Sequence, residues 1–278
     1  MHADFGPHAM QGLHSGPPPR IVLGKAMSDV ARLKRVLISL PELGLRIDWL
    51  KQQLREWDVA DACRLLNELC EESERADPAA REAQLALALA FVSLPADELD
   101  GIYKHARAAR LFSLERMLRR SPSVLPAPSD TPIPDYGAGR ELTVGERRSL
   151  ARRPNRKSFA KLLGDPHPLV IRQLLQNPRL TEDDVVRLVA RRPPRTSVLD
   201  ELAHAPQWLC RPRVRLAVLF NPGAKSTLTM PLLGACTRTE LREIIASDTP
   251  VALRATALEL LERRPPLRNS RTGNAPLQ

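Results

Sequence analysis

Residues 165–193 read DPHPLVIRQLLQNPRLTEDDVVRLVARRP. Two amphipathic stretches flank Asn177-Pro178, and proline bounds both ends, so the segment predicts a helix, a turn and a second helix. In the first helix Val170, Ile171, Leu174 and Leu175 share one face, the spacing of a half-buried helix. Pro178 disfavours helical geometry in the residue before it, which ends this helix at Asn177. Thr181 is placed to cap the second helix. Glu182, Asp183 and Asp184 follow in its first turn, where the helix dipole favours negative charge. Val185, Val186, Leu188 and Val189 supply its apolar face, and Arg191 and Arg192 close it before Pro193-Pro194.

The pattern recurs. Pro212, Val214, Val218, Leu219, Asn221 and Pro222 lie 44 residues after Pro168, Val170, Leu174, Leu175, Asn177 and Pro178. Between the copies, residues 197–206 (SVLDELAHAP) predict one short helix. A looser third copy, TPVALRATALELLERRP over residues 249–265, keeps the proline start, the apolar face and the proline stop without the Asn-Pro. A terminal repeat is expected to diverge in this way and to turn a more polar face outward. Helical hairpins at a fixed interval predict an α-solenoid, an architecture that presents surface rather than a catalytic pocket.

Upstream, residues 28–120 read as helix almost throughout. Ser28 is a candidate N-cap for a short amphipathic helix that stops before Pro41. Leu43, Ile47, Leu50, Leu54 and Trp57 then form one stripe at alternating steps of four and three. Asp58 is placed to cap a helix carrying Val59, Cys63, Leu66, Leu69 and Cys70, and Asp77-Pro78 opens another. That helix, AAREAQLALALAFVSL, is apolar on most sides and is expected at the centre of this half. Further helices are expected after Pro95 and over residues 111–120. Residues 121–139 carry Pro122, Pro126, Pro128, Pro132 and Pro134 without periodicity and read as a linker. The expected order is therefore a tail (1–26), a helical domain (27–120), a linker (121–139), the solenoid (140–264) and a second tail (265–278). Met27 is a candidate alternative translation start. The fold class is all-α.

Composition agrees. Hydrophobic residues make up 43% of the 278 residues but aromatic residues only 4%, and a Leu- and Ala-rich apolar set favours helix over strand. The net charge of +10 is uneven: residues 1–139 carry 17 Lys and Arg against 19 Asp and Glu, and residues 140–278 carry 25 against 13. An extended basic surface attracts acidic protein, nucleic acid or anionic lipid. Arginine outnumbers lysine 35 to 7, a bias that high-GC coding also produces on ordinary solvated faces.

The residues VLDELAHAP and RVRLAVLFNPGAKSTLTMPLL carry a resemblance to the leucine-rich repeat variant and to the broader HEAT-like α-solenoids: an apolar helix, a Val-Arg-x-x-Val core, an Asn-Pro joint and another helix. The resemblance covers roughly residues 155–264 and implies a solenoid fold without implying a reaction. One leucine-rich repeat variant protein holds an iron–sulfur cluster on cysteines, but its ligand set has no counterpart here, so no cofactor is carried over. Another HEAT-like group binds alkylated DNA on a basic face, which this chain resembles in repeats and charge alone.

The strongest functional candidate is a basic strip: Arg147, Arg148, Arg152, Arg153, Arg156, Lys157 and Lys161, extended through the repeats by Arg172, Arg187, Arg191 and Arg192, with Arg211, Arg213 and Arg215 beyond. Guanidinium forks on a rigid scaffold suit carboxylate and phosphate. Phe159 is the one aromatic residue interleaved with the lead segment, which disfavours base stacking. The expected partner is an acidic protein, with nucleic acid as the alternative.

No catalytic, cofactor-binding or metal-ligating set is expected, nor a small-molecule substrate. Gly223-Ala-Lys-Ser-Thr227 lacks both the glycine directly before lysine and the preceding strand of a phosphate-binding loop. The six histidines stand apart from Cys, Asp and Glu at ligand spacing. Cys63 and Cys70, seven residues apart on one helix, would lie about 10 Å apart, too far for a disulfide. Four cysteines without a CxxC pair suit buried thiols in a reducing cytoplasm. No apolar run reaches the length of a membrane span.

Overall fold

The computed structural model describes residues 29–121, 132–153 and 155–265; the expected tails, Ser28 and most of the proline-rich segment lie outside them. The described residues contain helices and turns and no strand. The first half forms α1 (Val30–Ser39), α2 (Leu43–Glu56), α3 (Val59–Glu74), α4 (Pro78–Ser93), α5 (Ala96–Ala108) and α6 (Phe112–Leu118). The second forms α7 (Val144–Arg152), a 3-10 turn (Arg156–Ser158) running into α8 (Phe159–Leu162), α9 (Pro168–Leu175) and α10 (Glu182–Val189). It continues with α11 (Thr196–Asp200), a 3-10 turn (Glu201–His204), α12 (Pro206–Leu209), α13 (Pro212–Leu219), α14 (Ser226–Leu233), α15 (Arg238–Ile245) and α16 (Val251–Arg263). The chain is thus an all-α, helical repeat-like protein.

The helix starts follow from capping chemistry. Asp58 and Asp77 accept from the backbone N–H groups of Ala60 and Ala80, and Pro78 occupies the first turn of α4. Asp29, rather than Ser28, caps α1 through the N–H of Ala31. Full capping boxes open α7 (Thr143 with Glu146), α10 (Thr181 with Asp184) and α15 (Thr237 with Glu240). Each box satisfies two otherwise orphaned donors. Helix α6 has no cap of its own; Asn67, on α3, accepts from Ser113 N and Leu114 N and caps it from outside.

Residues 197–206 do not form one helix. They split into α11, a 3-10 turn and the start of α12 at Pro206, because Pro206 lacks an amide hydrogen and begins a new turn. In α12, Trp208 lies buried and its indole N–H donates to Leu175 O at the end of α9, 2.8 Å away.

The Asn-Pro joints do more than end helices. Asn177 is buried, its Nδ2 donates to Ala151 O and Arg153 O at the end of α7, and its Oδ1 accepts from Arg179 N. Asn221 holds the matching joint one repeat later with one donor bond fewer: Nδ2 donates to Val189 O at the end of α10, and Oδ1 accepts from Gly223 N. The last carbonyls of a helix have no intrahelical donor, and each asparagine supplies one from the next repeat. Helix α7 packs on α9, and α10 packs on α13.

Helix α4 packs against three helices of the first half, as its apolar girth leads one to expect, and also meets the second half. It packs against α1, α2 and α3 on one side and against α14 and the 201–204 turn on the other. Gly234, just past α14, leaves room there for the Gln84 side chain, which a Cβ would meet at 2.6 Å. Helix α14 also rests on α6, and the apolar side chains of both halves belong to one buried cluster. Around it, Arg119 bridges Glu115 and Glu259, and buried Arg116 pairs with buried Glu74 at 2.6 Å. Helix α16 buries Leu253, Thr256, Ala257 and Leu260 but leaves Val251 and Leu258 exposed. The outer face of α16 is mixed rather than polar throughout: Val251, Ala255 and Leu258 are exposed beside Glu262 and Arg263.

Candidate interaction surface

The Thr143–Glu146 box fixes the phase of α7 and so decides which arginines face water. Arg147 turns inward and Arg148 and Arg152 turn outward. Arg147 is only 3% exposed, and its Nη1 donates to both carboxylate oxygens of Asp165, at 2.8 and 2.7 Å. Asp165 is fully buried and also accepts from Tyr136 Oη (2.6 Å) and His167 N (2.9 Å). Burial and the adjacent Asp165 carboxylate raise the Tyr136 hydroxyl well above its ordinary range. Arg147 therefore does not belong to an exposed strip. The i, i+1 step from Arg148 places it on the core side of the helix, where the deep Asp165 consumes its charge.

Several of the remaining strip residues are answered by acids from adjoining helices. Arg156 reaches Asp184 at 3.0 Å, donates to Arg179 O and lies over the Phe159 ring. Arg172 pairs with Glu201 at 2.6 Å. Arg211 pairs with Glu182 and stacks on Trp208, and Arg213 pairs with Asp183. The three acids that open α10 thus each hold a guanidinium. Arg152 donates to Gln173 Oε1, and Arg192 to the carbonyls of Ala190, Arg191 and Phe220. Arg148, Arg153, Lys157, Lys161, Arg187 and Arg191 are exposed and make no ion pair among the described residues.

A second set of arginines holds helix ends. Arg215 is buried and donates to Leu209 O, Cys210 O and Ala235 O. Arg264, also buried, donates to Gly234 O and Cys236 O, while Arg238 reaches Leu261 O and Arg264 O. Burial, reinforced by Arg81, lowers Arg264 to about 10. Arg195 donates to Gly164 O and Asp165 O at 2.8 and 3.0 Å. These residues escape a reading of charge alone. For Arg215 the signal is in the repeat: it stands 44 residues after Ile171, a fully buried position, where a charge must find partners.

The other polar motifs have structural partners. Lys225 of the 223–227 turn pairs with Asp200, and Gly223 packs so closely on Pro194 that a Cβ would stand 2.5 Å from it. His167 caps α9 by accepting from Leu169 N. Cys63, Cys70 and Cys236 are buried free thiols, and Cys210 is half-buried. Among the described residues no three His, Cys, Asp or Glu side chains gather as a metal site, and no helix is long and apolar enough to cross a membrane.

Comparisons with known protein families, with curated proteins and with solved structures find no match to this chain. The class that the fold defines is an all-α, helical repeat-like protein.

Proposed function

We propose that this chain is a non-enzymatic protein-interaction module of the HEAT-like α-solenoid type, with repeats resembling the leucine-rich repeat variant. On this reading it uses the basic residues of its second half to dock an acidic protein partner in the cytoplasm. The observation that supports it best is the division among those residues. Arg156, Arg172, Arg211 and Arg213 are neutralised by neighbouring acids, whereas Arg148, Arg153, Lys157, Lys161, Arg187 and Arg191 stand in solvent without a carboxylate among the described residues. Fixed cations without counter-charges attract polyanions and speed their encounter. Single-stranded nucleic acid is disfavoured because Phe159 is 2% exposed and offers no ring for a base to stack upon; duplex nucleic acid, held through its phosphates, is the alternative that the test below must exclude.

The test is retention of partners on the immobilised chain over a salt gradient, with and without nuclease, beside binding of purified DNA and RNA. Protein retention that survives nuclease, with no nucleic-acid binding at low salt, supports the reading. Binding to DNA or RNA with the steep salt dependence of counterion release replaces it with the nucleic-acid alternative. Glu substitutions at Arg148, Arg152, Arg153 and Lys157 should abolish retention, and unchanged retention would exclude this surface. Arg156 is left intact because reversing it would set a carboxylate against Asp184.

A further inference from the structure

The exposed side of α16 is complementary to itself. Val251 and Leu258 are 72% and 45% exposed, and Ala255 is exposed between them. Arg254 and Glu262 stand four residues before and four residues after Leu258, so the three form one ridge with Leu258 at its middle. Neither charged side chain has an ion pair or a hydrogen bond among the described residues. The Nε of Arg254 is buried without an acceptor. Arg116, Arg147, Arg215 and Arg264 share that feature but spend their Nη groups on nearby carboxylates or carbonyls, whereas Arg254 spends none. Glu259, on the flank of the same face, is already held by Arg119.

We propose that this face takes a second copy of the chain, α16 lying antiparallel on α16 with the two-fold axis at Leu258; the proposal stands apart from the reading above. Across such an axis a surface must complement itself, each residue meeting the one equally far beyond Leu258 on the other copy. Leu258 then meets its own image, and Arg254 meets Glu262 of the second copy, once on each side of the axis. Ala255 meets Leu261, and Val251 meets Pro265, which is also exposed. Opposite charges face each other and apolar side chains face apolar ones, with the small Ala255 allowing close approach. An axis between Ala255 and Leu258 would instead set Val251 against Glu262 and call on Glu259, which Arg119 already holds. A parallel pair would set Arg254 on Arg254. One helix face buries less than the roughly 800 Å² per partner of a standard interface, so the dimer is weak and forms with concentration.

Sedimentation equilibrium of the full chain over a concentration series should fit a monomer–dimer equilibrium. Arg254→Glu and Glu262→Arg should each weaken it by about ten-fold or more, because each sets like charges together at two places. Mixing the two variants should restore association between them, since each then presents the charge the other needs. Positions 254 and 262 are about 12 Å apart along one helix, so this rescue reports on contact between copies. Leu258→Glu should abolish the dimer and leave the circular dichroism unchanged. Leu258→Cys should cross-link under mild oxidation, whereas Ala255→Cys should not, its image being about 9 Å away along the helix axis. If Arg254→Glu fails to fold, Glu262→Arg and the two cysteine variants, all at exposed positions, carry the test. A chain that stays monomeric up to about 0.5 mM overturns the proposal, whether the face is bare or is taken by residues 266–278 or by the acidic partner. A mixture that does not associate, or cross-linking at Ala255 as ready as at Leu258, overturns it too.

Discussion

Arg147 and Asp165, eighteen residues apart, form an ion pair from which water is excluded on both sides, with contacts of 2.8 and 2.7 Å. Removing one partner leaves the other charge buried alone, which costs about 3–5 kcal/mol. Asp165→Ala should therefore lower the stability of the chain by that amount in urea denaturation. An Arg147→Met/Asp165→Leu double variant should recover most of the loss, since an apolar pair of similar volume is often neutral. A double variant as unstable as the single one would mean that the Tyr136 and His167 contacts to Asp165, rather than the charge pair, carry the effect.

Asn177 and Asn221 hold matching joints, Asn177 by two donor bonds and Asn221 by one, so the loss at Asn177 should equal or exceed that at Asn221. Truncation to alanine strips a donor from buried helix-end carbonyls, which costs about 1–3 kcal/mol each. The two sites have no common partner, so their losses should add to within about 0.5 kcal/mol. Equilibrium unfolding of the two single variants and the double variant measures both quantities.

Glu146 gives a pH signature. Arg140 first, then the Thr143 backbone and hydroxyl, lower its carboxyl from 4.5 to about 2. A carboxyl depressed in the folded state contributes stability above its unfolded pKa and loses it as pH falls through the folded value. The start of α7 should therefore hold above about pH 4.5 and loosen progressively towards pH 2. Carbon-detected titration of Glu146 should report the low midpoint, and Glu146→Gln should remove this part of the pH dependence at the α7 amides.

Thiol reactivity should single out one cysteine. Burial, with Asp58 nearby, pushes Cys63 up to about 11, burial pushes Cys236 up to about 12, and burial raises Cys70 as well. The thiolate is the reactive form, so brief alkylation of the folded chain near pH 8 should label Cys210 alone, and all four after denaturation. Peptide mass mapping counts the labels. Native labelling of Cys70, which is fully buried against Met117, would show that the contact between α3 and α6 opens on that timescale.

Much of the fold was legible because its signals are local. Asp58, Asp77, Thr143 and Thr181 declare helix starts by chemistry that acts within three residues. The 44-residue recurrence places two helices and both asparagines. Other features depend on distant partners and leave no local trace. The outer side of α4 is one: its apolar girth indicates a buried helix among α1, α2 and α3, but only the tertiary structure shows that α14 covers the rest of it. The basic strip is another. Its eleven members look alike as charges, yet Arg147 is spent on Asp165, Arg156 on Asp184 and Arg172 on Glu201.

The sequence by itself determined that this is an all-α chain with recurring helical hairpins, because capping, proline punctuation and apolar periodicity act over one or two turns. Only the tertiary structure decided which arginines are free. Pairing depends on which acids neighbouring repeats bring within about 4 Å, and Coulomb attraction and desolvation at that range answer to distance in space rather than along the chain.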